Sequence, residues 1–325
     1  MGRLVDGVWT TEGYKADEKG GFKRESTLFR DRITADGSSG YPAVAGRYHL
    51  YVSLACPWAH RTLILRKLKG LEDAISVSVV DPYMGDDGWF FSDHPGSTRD
   101  HVNGAKYLWQ VYTKVDPEIT GRVTVPILFD KERGTIVNNE SREIVRMLDT
   151  QFDAVAKNRV TLYPEGLRSE VDAAIDAMYE KVNNGVYRAG FAFTQEAYDT
   201  AVTELFAALD RYEKLLEKQR YLCGDTLTEA DVFLFTTLYR FDPVYYVHFK
   251  CNVRRIEEYP ALSGFLRDVY QTDGIAETCN LRHVKEHYYR SHPFLNPRGV
   301  VPRGPDVDLT TPYGRERFGG GLAKS

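Results

Sequence analysis

Apolar positions follow three rhythms along the chain. In the first 43 residues they are scattered among Gly, Asp, Lys and Arg, with Val8-Trp9, Phe22 and Phe29 as isolated anchors. That pattern predicts an extended arm packed over the body and no domain of its own. From 44 to 162 short strand-like runs alternate with helical stretches. Tyr51, Val52 and Leu54 favour extended structure, so a first strand is expected over about 47–54. Pro57 suits the first helical position because it lacks the N–H that would be unpaired there, and a helix follows to about Lys69. Ile75-Ser76-Val77-Ser78-Val79-Val80 alternates as a strand does and ends at Asp81-Pro82. A long glycine-containing loop over 81–101 precedes a helix at about 103–112. Thr124-Val125-Pro126-Ile127-Leu128-Phe129 reads as a strand except at Pro126, which cannot donate to a ladder. Either Pro126 opens the strand or the Val125–Pro126 bond is cis. Thr135-Ile136-Val137 is a further short strand. Asn138-Asn139-Glu140-Ser141 caps a helix over about 141–151, with Ile144, Val145 and Leu148 on one face.

Beyond about residue 162 the period becomes helical. Helices are expected over 169–182 and 195–219, the second carrying Leu205, Ala208, Leu209, Tyr212, Leu215 and Leu216 at helical spacing. The stretch 183–190 between them, with two glycines, reads as a break. Thr226-Leu227-Thr228-Glu229 reads as a capping box opening an apolar helix through Ala230 and Phe235. Asp231 falls in its first turns, where a carboxylate favours the helix dipole. Pro243 interrupts, Pro260 opens another helix, and a last one is expected over about 274–290. The remainder, rich in Pro and ending near Gly319-Gly320-Gly321, reads as an irregular tail with a disordered end. The expected fold class is therefore α/β plus all-α. The order β-α-β-α-β-β-α over 44–162 is that of a thioredoxin-like domain, and 163–290 form an all-helical domain. An arm (1–43) and a tail (291–325) flank them.

Composition narrows the class. The 325 residues are 42% hydrophobic and 27% charged, as in an ordinary soluble globular protein. No run of 18 apolar residues predicts a membrane span, and the N-terminal stretch lacks the apolar segment of a signal peptide. A net charge of −4 exerts no general pull towards nucleic acid. The four cysteines, Cys56, Cys223, Cys251 and Cys279, do not make a disulfide framework in a chain this long. A reduced, cytoplasmic setting is expected. His283 and His287 share a helical face, but without an HExxH pattern no metal site is expected.

The candidate chemistry sits at Cys56. A cysteine at a strand end that opens a helix lies where backbone N–H groups carry partial positive charge, which stabilises a thiolate. The alternative is a buried, inert core cysteine. Position 59 is Ala, so there is no C-x-x-C and no local resolving thiol. A monothiol site turns over if a second, soluble thiol resolves its mixed disulfide, and glutathione is the abundant cytosolic candidate. The architecture of a thioredoxin-like domain followed by an all-helical one is that of glutathione transferases.

Seven motifs in order make the resemblance closer. They are Cys56-Pro57-Trp58-Ala59-His60-Arg61, Gly88-Trp89-Phe90-Phe91, Gly121-Arg122-Val123-Thr124-Val125-Pro126, Asn139-Glu140-Ser141, Asn184-Gly185-Val186-Tyr187-Arg188-Ala189-Gly190, Arg240-Phe241-Asp242-Pro243-Val244-Tyr245, and His287-Tyr288-Tyr289-Arg290-Ser291-His292-Pro293 followed by Asn296-Pro297. From about 45 to 302 the chain resembles the glutathionyl-hydroquinone reductases, the Xi class of the glutathione transferase superfamily. The resemblance implies that Cys56 attacks the sulfur of a glutathionyl-hydroquinone, releases the hydroquinone, and is freed by a second glutathione. It implies no bound cofactor, glutathione as co-substrate, and a homodimer. It casts Tyr187, Tyr245 and Tyr288 as pocket tyrosines acting on the ring oxygens. Val125 would offer its backbone to the cysteinyl part of glutathione. Glu140 and Ser141 would hold the γ-glutamyl end at a helix N-terminus, Arg122 would pair with the glycyl carboxylate, and Trp89 would stack along the peptide.

Each residue also has a plainer reading. Ser141 is an ordinary helix-cap residue, the tyrosines are three among 21, and the loop of Trp89 is one tucked down by aromatic anchors. His60, one turn after Cys56, reads as a packing or polar-edge residue. The competing functions are an omega-like thiol transferase or dehydroascorbate reductase, a conjugating transferase, and a non-catalytic glutathione- or ligand-binding module. A conjugating transferase usually carries Ser or Tyr where this chain has Cys56.

Overall fold

The computed structural model describes residues 2–324. In chain order the strands and helices are β1 (Arg3–Val5), β2 (Val8–Thr10), β3 (Tyr48–Val52), α1 (Pro57–Leu68), β4 (Ile75–Val79), α2 (Leu108–Val115), β5 (Ile127–Asp130), β6 (Thr135–Asn138), α3 (Ser141–Thr150), α4 (Arg168–Met178), α5 (Gly185–Gly190), α6 (Gln195–Leu216), β7 (Thr226–Leu227), α7 (Glu229–Arg240), α8 (Pro260–Gln271), α9 (Leu281–Ser291) and β8 (Gly321–Leu322). By internal contacts they form two compact units. One holds the described residues up to 13, with 25–159 and 278–301; the other holds 14–24, 160–277 and the tail from 302. Residues 278–290, expected with the helical domain, therefore group with the first unit, and the arm and tail are divided between the units. No helix among the described residues is long and apolar enough to cross a membrane.

The first unit is thioredoxin-like. Its sheet runs β4-β3-β5-β6, with β3 and β4 parallel and β5 antiparallel to both β3 and β6. Every residue of β3 and β5 is buried, as central strands covered on both faces must be. α1 and α3 pack together. Arg47, beside β3, meets the buried Asp130 at the end of β5 with Nη2–Oδ2 at 2.6 Å. Three expectations shift here. The arm begins with a hairpin, β1–β2, turned by Asp6 and Gly7 at positive φ (47° and 75°), the geometry that an Asp-Gly pair accommodates. Leu4 then pairs with Gly121 through both backbone bonds. The helix expected at 103–112 begins only at Leu108, because the Asp100 carboxylate takes the N–H groups of Val102, Asn103 and Ala105. The strand expected at 124–129 begins at Ile127, after a cis Val125–Pro126 bond.

The second unit is helical. The expected break at 183–190 is instead a π-turn, Tyr179–Asn183, leading into α5. Gly190 serves packing there, since an added Cβ would collide with the Phe249 ring. The capping box lies two residues later than read from the sequence. Thr228 is the N-cap of α7 and Asp231 its reciprocal partner, while Thr226-Leu227 is a short strand. The tail is not irregular throughout: β8 pairs in parallel with β7. Buried Arg315 anchors it by donating from Nη2 to the carbonyls of Leu216, Gln219 and Arg220.

Candidate active site

Cys56 follows β3 after a turn over 53–55, has extended backbone (φ −76°, ψ 121°) and is the N-cap of α1, followed by Pro57. Its N–H bonds to Ser53 O at 3.2 Å and its carbonyl accepts from His60 N at 3.0 Å. The backbone is thus committed to the turn, and the side chain does not cap the helix. The thiol, half-buried, points instead at the Val125 carbonyl, 3.6 Å away. The N-terminal end of α1 supplies the positive partial charge that favours a thiolate. The other cysteines sit differently. Burial pushes the Cys223 thiol up to about 11 and raises that of Cys251 further, which keeps both protonated. Cys279 lies 3.8 Å from His60 Nε2, and His60 also bonds Thr278 at 2.9 Å. His60 is buried, in keeping with a packing and polar-edge role.

Two groups hold the edge that runs from the cis proline to α3. The buried Tyr112 hydroxyl donates to Thr124 O (3.0 Å) and accepts from Thr124 N and Asn139 Nδ2 (3.1 Å each). One phenol therefore ties the segment before the cis proline to the start of α3. Burial raises its pKa, so it stays a neutral donor. At α3, Glu140 is the N-cap and accepts from Arg142 N at 3.3 Å and Thr27 Oγ1 at 3.4 Å. Ser141, buried in the first turn, accepts from Arg61 Nη1 at 3.4 Å. Arg61 lies on α1, five residues after Cys56, with its guanidinium 4.3 Å from the Trp58 ring. A carboxylate docked here meets a helix N-terminus, a hydroxyl and a buried cation.

Trp89, buried in its loop, stacks on His287 of α9 with ring centroids 4.7 Å apart. His287 Nδ1 lies 2.9 Å from Pro82 O. Tyr288 follows, buried, with its ring edge-on to His287 at 5.1 Å and to His292 at 5.7 Å. Arg122 is engaged by the arm: it donates to Glu25 (3.0 Å) and to the carbonyls of Gly2, Glu12 and Gly13. Its expected pairing with the glycyl carboxylate therefore meets a guanidinium already in contact with four oxygens. In the helical unit, Tyr187 on α5 and Tyr245 at the end of the π-turn Phe241–Tyr245 face each other at 6.0 Å, within a cluster holding Phe191 and Phe249. Among the described residues no group of three or more His, Cys, Asp or Glu could hold a metal ion.

Residues 55–151 match the glutathione S-transferase N-terminal domain and residues 195–268 the glutathione S-transferase C-terminal domain. The chain is 53% identical to glutathionyl-hydroquinone reductase YqjG of Escherichia coli K12, over 98% of this chain and all of that one. The chain belongs to the glutathionyl-hydroquinone reductases, the Xi class of glutathione transferases. A Xi-class transferase from Natrialba magadii superposes with a TM-score of 0.94 at 55% identity, covering 99% of this chain and 98% of that one. The glutathione-bound structure of YqjG superposes with a TM-score of 0.90 at 52% identity, covering 97% of this chain and all of that one.

In this Xi-class chain, sequence reasoning missed the residues behind the expected ones. Arg61, His287 and Glu25 each hold a candidate site residue, and Tyr112 holds the chain neighbours of two, through contacts 12 to 198 positions away in sequence. Only the Asp-Gly turn at 6–7 left a local signal of how the arm comes to Arg122.

Proposed function

We propose that this protein uses glutathione to reduce glutathionyl-hydroquinones to hydroquinones. The observation that carries the reading is the Cys56 thiol at the N-terminus of α1, set against the carbonyl that precedes the cis proline, with Ala at position 59. Val125, Glu140, Ser141, Trp89 and Arg122 bind glutathione in this reading, and Tyr187, Tyr245 and Tyr288 act on the ring.

The chemistry sets what the tyrosines must do. An aryl carbanion is a very poor leaving group, so the ring first becomes its keto tautomer: one hydroxyl gives up a proton and the sulfur-bearing carbon gains one. The Cys56 thiolate then attacks the glutathione sulfur. An S–S bond forms, the C–S bond breaks, and its electron pair restores the aromatic ring as a phenolate, which takes up a proton. A second glutathione attacks the mixed disulfide, giving oxidised glutathione and free Cys56. Overall the ring carbon is reduced by two electrons, and the thioether sulfur and one glutathione thiol are joined as one disulfide. Tyrosine hydroxyls both donate and accept, as the tautomerisation requires. A homodimer in the cytoplasm belongs to the same reading.

The test is hydroquinone release from a glutathionyl-hydroquinone plus glutathione. Wild type is expected to form hydroquinone and oxidised glutathione in equal amounts, and Cys56→Ala neither. No release by wild type, or equal release by both, overturns the reading.

A further inference from the structure

We propose that Arg24, carried by the N-terminal arm, is a positioning residue for Tyr187, holding its ring and stabilising the charge that develops on its oxygen during proton transfer to the substrate ring. The inference rests on the reductase reading and extends it to a residue outside the family motifs quoted above.

Three observations carry it. The Arg24 guanidinium lies over the Tyr187 ring, 4.9 Å from its centroid. Its Nε donates to Asn184 Oδ1 at 3.0 Å. Asn184 is the N-cap of α5, and its carbonyl accepts from Tyr187 N at 3.0 Å and Arg188 N at 2.9 Å. Arg24 therefore grips both the ring and the residue that starts the helix presenting it.

The arm segment is built to hold that grip. Phe22 is buried, edge-on to Phe191 at 5.4 Å and to Tyr14 at 4.8 Å. Gly20 O accepts from Phe193 N, and Lys19 O from Thr194 Oγ1. The segment also lines a cavity of about 500 Å³ together with Asn184, Glu180, Arg188 and Glu196, among others. The ring neighbours of Tyr187 are aromatic: Tyr245, Phe191 and Phe249. Within that setting Arg24 places a cation on the ring face, and a planar guanidinium both stacks and stays charged.

The proton accounting needs no further reactant. Tyr187 gives its proton to the sulfur-bearing carbon and recovers one from the substrate hydroxyl. The transient phenolate beneath Arg24 is the species the guanidinium favours.

The test separates the ring step from the disulfide step. Wild type, Arg24→Met, Arg24→Lys and Tyr187→Phe are assayed for hydroquinone release from a glutathionyl-hydroquinone. They are also assayed for thiol exchange of Cys56 with a glutathione–mercaptoethanol mixed disulfide, which has no ring. Arg24→Met is expected to lower kcat for hydroquinone release roughly 3- to 30-fold, the range a partly desolvated cation on an aromatic face commands. Exchange should stay within about twofold, and Arg24→Lys should recover part of the loss. Combined with Tyr187→Phe, Arg24→Met should add little, because the two residues act as one unit. Unchanged release in Arg24→Met, an equal fall in both reactions, or losses that multiply in the double variant overturns the inference while leaving the reductase reading in place. Absence of release by wild type alongside normal exchange overturns both.

Discussion

Replacing Asp231 tests how the helical unit is held. The carboxylate is fully buried at the start of α7, where Oδ1 accepts from Leu222 N at 2.7 Å and Oδ2 from Thr228 N and Thr228 Oγ1 at 2.8 Å each. It thus satisfies a loop amide and both donors of the N-cap residue. Asp231→Ala strands two backbone N–H groups, and at about 1–2 kcal/mol each, unfolding should become easier by roughly 3 kcal/mol. Asp231→Asn keeps one carbonyl oxygen and removes the charge. Burial pushes the wild-type carboxyl up from 3.8 to about 6, against the opposing pull of those donors. A raised pKa in the folded state means that the folded protein binds the proton more tightly, so stability is highest with Asp231 protonated and falls as pH rises through about 6. Between about pH 4.5 and about pH 7.5 the linkage amounts to roughly 2 kcal/mol. Asp231→Asn cannot titrate, and the remaining groups cancel in the comparison. The stability advantage of wild type over Asp231→Asn should therefore shrink by about 2 kcal/mol on going from pH 4.5 to pH 7.5. Urea unfolding followed by far-UV circular dichroism is the assay, because all four tryptophans (positions 9, 58, 89 and 109) lie outside the helical unit. A difference that stays flat with pH, or widens as pH rises, refutes the argument. It would mean that the three donors outweigh burial.

Two further outcomes follow from the first unit. Ser141→Ala should weaken glutathione binding by roughly tenfold, the loss of one charge-assisted bond of about 1.4 kcal/mol, as read by calorimetric titration; binding unchanged within twofold would remove Ser141 from the glutathione site. Asp130→Ala leaves Arg47 buried without its main partner and should lower unfolding stability by about 3–5 kcal/mol in urea, whereas Arg47→Met with Asp130→Leu should recover much of the loss. Equal destabilisation in the single and double variants would show that the bonds the Asp130 carboxylate accepts from the N–H groups of Glu132 and Arg133 matter more than the ion pair.

What the chain states locally came through unaided. Strands β3 and β4, helix α1 with Pro57 at its start, and α3 after Glu140 follow from alternation, proline chemistry and capping, which act within a few residues. Cys56 as a monothiol at a helix start follows from two positions, 56 and 59. The departures arose where a specific side chain or strand partner outbid propensity, two of them close in sequence and one, the β7–β8 pairing, distant. Asp100 took the amides of the expected helix at 103, Asp231 moved the capping box by two residues, and the paired β7 and β8 ordered a tail that composition alone reads as loose. The shell of the site belongs to tertiary structure in the same sense. That Tyr112 bridges the cis-proline segment to α3, that His287 backs Trp89, and that the arm closes on Arg122 are contacts between residues 12 to 198 positions apart. No periodicity encodes such pairs, because they form only when the sheet and helices have brought the side chains within bonding distance. The sequence by itself determined the thiol, its helix and the elements that carry glutathione's expected partners; the fold decided which buried neighbours hold each of them in place.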